Sequence, residues 1–159
     1  MTGKYWLALG AAAVAFAASP LFAQQTRTVT IDTPRVEGTK EITRDREEGT
    51  LTRDTELTRK SDSATATASF ERQRTEDGVT RDRTATDFEG RTATSHYERE
   101  RTENGWSATG ERVQRDGDVI AYRGRARVGE HRVAKREVVT RNGERVAARS
   151  VVRPRRPRG

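Results

Sequence analysis

Residues 65–79 read TATASFERQRTEDGV and residues 92–106 read TATSHYERERTENGW. Nine of these fifteen positions are identical at an offset of 27, and Phe70/Tyr97, Ala68/Ser95 and Asp77/Asn104 differ only mildly. Each copy is an alternating, Thr-rich run that ends in Asp77-Gly78 or Asn104-Gly105. Asp-Gly and Asn-Gly suit the two central positions of a type I′ hairpin turn, which need positive φ. The duplicated unit is therefore a strand feeding a hairpin, and two strands with two turns account for the offset of 27. A shorter echo, Leu51-Thr52-Arg53-Asp54 against Val79-Thr80-Arg81-Asp82, extends the pattern toward the N-terminus.

Working outward, turn signals recur at Glu37-Gly38, Glu48-Gly49, Ser61-Asp62-Ser63, Glu89-Gly90, Asp116-Gly117, Gly129 and Asn142-Gly143. Between them lie runs rich in Thr, Val and Arg. Branching at Cβ stiffens χ1 and favours a pleated backbone, and no run carries a helical apolar stripe. The spacing predicts about ten strands in an up-and-down antiparallel meander: 26–32, 39–46, 50–59, 64–76, 79–87, 91–103, 106–115, 119–128, 131–141 and 144–153. A two-residue turn at Asn142-Gly143 would set Arg141 opposite Glu144, Val139 opposite Val146 and Val133 opposite Val152. The same construction at Asp77-Gly78 would set Arg74 opposite Arg81 and Arg72 opposite Arg83, a like-charge clash that argues for another register.

Composition decides how thick the sheet is. Val, Ile, Leu and Phe make up 19 of the 136 residues from Gln24 onward, too few to fill two packed layers, which need an inward apolar residue at every second strand position. The expectation is an all-β, largely single-layer twisted sheet. Local cores would gather around Phe70, Phe88, Tyr97 and Trp106, and around Ile120, Tyr122 and the C-terminal valines. A small closed barrel, which would remove the sheet edges, is the alternative. A membrane barrel needs a lipid-facing apolar band, and TLTRDTELTR and VTRDRTATD have none.

The first 23 residues read as a cleaved signal peptide. Lys4 precedes a 14-residue apolar run, 5–18, that Pro20 cuts short of the ~20 residues of a spanning helix, and Ala23 precedes Gln24. That predicts a periplasmic or secreted protein with one repetitive hairpin domain over 24–153 and a basic tail over 154–159. No cysteine is present, so neither disulfides nor thiolate chemistry are available.

Charge is uneven. Residues 24–118 hold 17 Lys/Arg and 21 Asp/Glu, a net of −4, whereas residues 119–159 hold 13 and three, a net of +10. In 119–128 the alternation puts Arg123, Arg125 and Arg127 on one side and Ile120, Tyr122 and Val128 on the other. Arg132 and Arg136 share a face of the next strand, and Arg155, Arg156 and Arg158 continue the charge into the tail. Guanidinium forks fit phosphate and carboxylate groups, so these eight arginines are the candidate polyanion-binding residues. In an exported protein the matching partners are anionic envelope polymers or lipid headgroups rather than nucleic acid. The alternative function is a self-associating structural or adhesin-like subunit that pairs through its unpaired sheet edges.

Catalysis has little to stand on. His96 and His131 have no ligand-like spacing with another His or Cys, so no metal or other cofactor is expected. Asp116-Gly117-Asp118 lacks the further oxygen ligands of a calcium loop and reads as a hairpin turn. Glu98 and Glu100 alternate with Arg99 and Arg101, which reads as solvated cross-strand ion pairs rather than an acid/base site. Trp106 reads as a packing residue beside a turn, with a sugar-stacking role as its alternative. No nucleophile elbow, phosphate-cradling loop or dinucleotide fingerprint occurs, so the chain is expected to be non-catalytic.

Overall fold

A computed structural model of the chain describes residues 24–154. The signal-peptide segment and Arg155, Arg156 and Arg158 lie outside the described residues. The strands are β1 (Gln24–Asp32), β2 (Val36–Asp45), β3 (Thr50–Arg59), β4 (Thr65–Arg74), β5 (Gly78–Thr86), β6 (Thr92–Thr102), β7 (Gly105–Val113), β8 (Val119–Val128), β9 (Arg132–Arg141) and β10 (Glu144–Pro154). All ten lie in one open sheet in sequence order, each antiparallel to the last. The meander is therefore as expected, and the closed barrel is not formed: β1 pairs only with β2, and β10 only with β9.

No second layer covers the sheet among the described residues. Only Leu51, Ala108 and Ala126 are buried apolar residues, at 4–5% exposure. The expected local cores form in part. Phe70, Tyr97, Trp106, Ile120 and Tyr122 are half-buried on one face, whereas Val128, Val146 and Val152 stay exposed.

Register corrects the turn reading in the two repeat copies. In the first, Thr75 and Gly78 face each other across the turn, with the Thr75 amide donating to the Gly78 carbonyl at 3.1 Å. In the second, Thr102 pairs with Gly105. The central turn residues are thus Glu76-Asp77 and Glu103-Asn104, one step earlier than expected. The glycines are there for a different reason. A Cβ on Gly78 would strike the Arg99 carbonyl of β6, and one on Gly105 the Ala126 carbonyl of β8. Gly38, which read as a turn residue, likewise lies inside β2 against the Glu56 carbonyl. Only Asn142-Gly143 uses positive φ at both positions, 50° and 86°.

The shifted turn puts Arg72 opposite Arg81 and Phe70 opposite Arg83. The last hairpin contains a bulge at Val146, so Val139 faces Ala147 and Val133 faces Arg153 instead of the expected valine pairs. Without the bulge Arg149 would face Arg136. With it, Arg149 faces Glu137, and the extra residue also roughens an edge strand.

One end of the sheet carries a chain of ion pairs that runs from turn to turn. Lys60 reaches Asp32 at 2.5 Å, Arg59 reaches Glu89 at 2.9 Å and Arg115 reaches Asp87 at 3.5 Å. Arg141 reaches Asp118, which also accepts from the Asn142 side-chain Nδ2 at 2.7 Å. Asp87 is the most enclosed link, with its side chain 10% exposed. Its Oδ1 accepts the backbone amides of Glu89 and Arg91, and its Oδ2 accepts Arg91 Nε. Burial pushes the Asp87 carboxyl up, but these donors outweigh it and hold the group below its ordinary 3.8. A depressed carboxyl pKa contributes stability above the unfolded value and loses it as pH falls through the folded one. Asp87→Asn should therefore lower the urea midpoint at pH 7, and the difference from wild type should start to shrink below about pH 4 and vanish as pH falls through the folded value.

Candidate polyanion-binding face

Alternation along each strand and the register between strands define two unlike faces. The first, the aromatic face, carries Phe70, Tyr97, Trp106 and Tyr122. The second, the threonine face, carries most of the threonines, some of which bond across strands, as Thr26 to Thr43 at 3.0 Å.

The five candidate arginines inside the described residues meet on the threonine face. Arg125 of β8 lies directly opposite Arg136 of β9, and Arg123 and Arg127 flank Arg125 two residues either side. Arg132 shares their face, two pairs along β9. Ser107 of β7 faces Arg125, and Ser150 of β10 faces Arg136. A shallow groove of about 210 Å³ runs between Arg125, Arg127, Ala134, Arg136 and Ser150. No Asp or Glu shares this face of β8–β10, and none of the five arginines is in an ion pair among the described residues. Like charges directly opposite one another cost stability, so the row exposes a concentrated and unneutralised positive field.

The hairpin register recurs at the same offset of 27 in β4–β5, β6–β7 and β8–β9. Where the first two hairpins place Glu71 and Glu98, the third places Arg125. Where they place Gln73 and Glu100, it places Arg127, and Ser69 and His96 give way to Arg123. On the aromatic face the corresponding step is Phe70 to Tyr97 to Gly124. With Gly124 bare, Tyr122 lies flat over it and donates to Glu137 at 2.8 Å. Tyr97 sits 6.3 Å from the Tyr122 ring. Trp106 packs between Arg99 at 4.7 Å and Lys135 at 5.7 Å, with a cation on each side.

A larger arrangement escaped the reading by segments. In β1–β7 every Lys and Arg projects from the aromatic face and every Asp and Glu from the threonine face. The expected cross-strand ion pairs of Glu98, Glu100, Arg99 and Arg101 do not form among the described residues, because the acids and bases of β5–β7 lie on opposite sides of the sheet. A groove of about 610 Å³ on the aromatic face gathers Arg72, Arg74, Arg81, Arg99 and Arg101 beside Trp106. The signal was the two-residue period of charge itself, as in Arg53-Asp54 and Arg81-Asp82.

Among the described residues no group of three metal-ligating side chains occurs. Asp116-Gly117-Asp118 is a hairpin turn with Gly117 at φ 87°. His96 Nδ1 lies 2.7 Å from Asp82 Oδ1, directly across β5–β6 on the threonine face. That hydrogen bond raises the imidazole above its ordinary 6.5.

Two measurements test these contacts. His96 should titrate above 6.5 by NMR, and Asp82→Asn should bring it down. The stability that this pair adds should be complete below 6.5 and fade as pH rises through the folded value. Gly124→Val should force Tyr122 off the strand, costing about 1–3 kcal/mol in denaturant unfolding. Burial, with the Glu137 bond, holds the Tyr122 phenol at about 12, so its ultraviolet titration should move back toward 10 in the same variant.

Compared with known protein families, with curated proteins and with solved structures, this chain matches none.

Proposed function

We propose that this is an exported, non-catalytic envelope protein whose β8–β9 arginines hold an anionic surface polymer. The observation that carries the reading is the Arg125–Arg136 pair with Arg123, Arg127 and Arg132 around it, on a face of β8–β10 without a carboxylate. An isolated chain gains nothing from setting guanidinium groups against each other. A ligand that brings several phosphate, sulfate or carboxylate groups turns that repulsion into charge-assisted hydrogen bonds. The Ser107 and Ser150 hydroxyls at the flanks add donors for sugar or phosphate oxygens. The tail arginines Arg155, Arg156 and Arg158 extend the charge along the chain. The export reading rests on the sequence of residues 1–23, and it favours envelope polysaccharide or lipid headgroups over nucleic acid.

The test reverses one patch. Arg123→Glu, Arg125→Glu and Arg127→Glu together should lower heparin affinity by at least an order of magnitude, about 1.4 kcal/mol or more. Wild-type binding should weaken as rising salt shortens the Debye length from about 10 Å to about 3 Å. Reversing Arg27 and Arg44, on the other face at the far end, should change little. Vesicles of anionic lipid, run beside heparin, tell a headgroup from a polysaccharide. Equal losses in both variants would replace a site with diffuse charge, and no loss in either would overturn the reading.

A further inference from the structure

We propose that the protein stacks on copies of itself, the aromatic face of one sheet seated on the threonine face of the next. The two faces of β1–β7 are electrostatic opposites, and among the described residues no ion pair joins a strand cation of one face to a strand carboxylate of the other. Arg72 lies directly opposite Arg81, and on the other face Glu71 lies directly opposite Asp82. Each pairing costs stability in an isolated sheet. The buried Nε of Arg72 has no hydrogen-bond partner. An anionic polymer on the aromatic face would satisfy the arginines and leave the threonine-face carboxylates unanswered, apart from Asp82 beside His96 and Asp32 and Glu37 beside Lys60. A second copy answers both.

The sequence spacing supports the geometry. Successive side chains leave opposite faces of a strand, one rise of about 3.3 Å apart. If a copy is translated along the sheet normal, each cation comes over the carboxylate beside it in sequence: Arg44 over Asp45, Arg53 over Asp54, Arg101 over Glu100. Identical sheets have identical twist, so translation keeps the faces congruent. Seven strands about 4.8 Å apart and about ten residues long give a face of roughly 1,100 Å². A stacked pair then buries on the order of 2,000 Å², the size of a stable interface. In that register the threonine-side arginines of β8–β10 meet Lys135, Arg141 and Arg149 as well as Glu137 and Glu144 of the next copy, so strands β1–β7 carry the attraction. The contact joins unlike surfaces, so it repeats into an open stack rather than closing as a dimer.

The full exported chain should show a mass that rises with concentration at low salt in sedimentation or light scattering, and should return to single chains in 1 M salt. Two double variants sharpen the test, all four positions being exposed. Arg53→Glu with Arg101→Glu sets acid against acid at two of the contacts, and Asp54→Arg with Glu100→Arg sets base against base at the same two. Each alone should raise the dissociation constant at least tenfold, and an equimolar mixture should assemble again, because the reversed charges of one variant meet those of the other as opposites. Circular dichroism checks that the sheet persists. If a variant fails to fold, a zero-length carbodiimide on mixed light and heavy wild-type chains gives a second reading. It should join Lys40 of one copy to Glu41 of another, residues that point to opposite sides of the same strand. A wild-type chain that stays single at low salt overturns the proposal. So do variants that assemble like wild type, which would point to the sheet edges, and a mixture that fails to recover. Loss of heparin binding at β8–β9 is a separate result and leaves this one standing.

Discussion

Everything in this molecule depends on the hydrogen-bond ladder between consecutive strands. With three buried apolar residues among those described, there is no core to hold a misplaced strand. Each inner strand is fixed by its two neighbours and its turns, and β1 and β10 by one neighbour each. Such a sheet must draw its stability from local terms: backbone pairing, β-branched side chains, cross-strand contacts of about 0.2–1 kcal/mol each, and long side chains that lie along the surface. The arginines supply the last term. Arg53 lies over Phe70, Arg59 over Phe88 and Arg81 over Tyr97, at 4.6–5.5 Å. Their stems cover apolar surface and their heads stay in water.

A one-layer sheet also makes each residue answer to one side only. No opposing layer exists for a side chain to fill against, so the period of two is free to sort charge instead of hydrophobicity. Glycine is spent where the backbone of the next strand leaves no room for Cβ, at Gly78 and Gly105. Between Tyr97, Trp106 and Tyr122 the small residues Gly110, Gly124 and Ala126 let the rings lie down. The fold is thin because the sequence offers few large apolar groups, and the aromatic residues that it has are laid flat rather than pointed inward.

The strand count, the order and the single layer were legible because each follows from local signals, namely alternation, turn residues and a low apolar content. That Arg123, Arg125 and Arg127 share one strand face, and Arg132 and Arg136 one face of the next strand, was legible for the same reason, since each strand keeps a period of two; that the two sets meet came from the register. Register was harder. Asp77-Gly78 and Asn104-Gly105 carry the composition of a type I′ turn, yet their glycines answer to a strand that a local reading does not see. The bulge at Val146 has no mark in its own residues, and only the avoided meeting of Arg136 with Arg149 explains it. The sorting of charge by face was written in Arg-Asp and Glu-Arg neighbours throughout β2–β7, but adding charge along the chain cancels what the sheet separates.

That separation gives the two halves of the molecule different electrostatic reach. In β1–β7 positive and negative layers lie on either side of one backbone thickness, so at distances beyond a Debye length of about 8–10 Å their fields largely cancel. Such a surface is inert to a distant polyion and strongly attractive to a complementary face in contact. Strands β8–β10 have no such balancing layer: arginines replace the acids on the threonine face, and the opposite face keeps only Glu137 and Glu144. Their field is therefore the one that extends into solvent. On the two proposals, long-range attraction of anions belongs to β8–β10 and adhesion of sheet to sheet to β1–β7, and the change from Glu98 to Arg125 at equivalent hairpin positions marks the boundary between them.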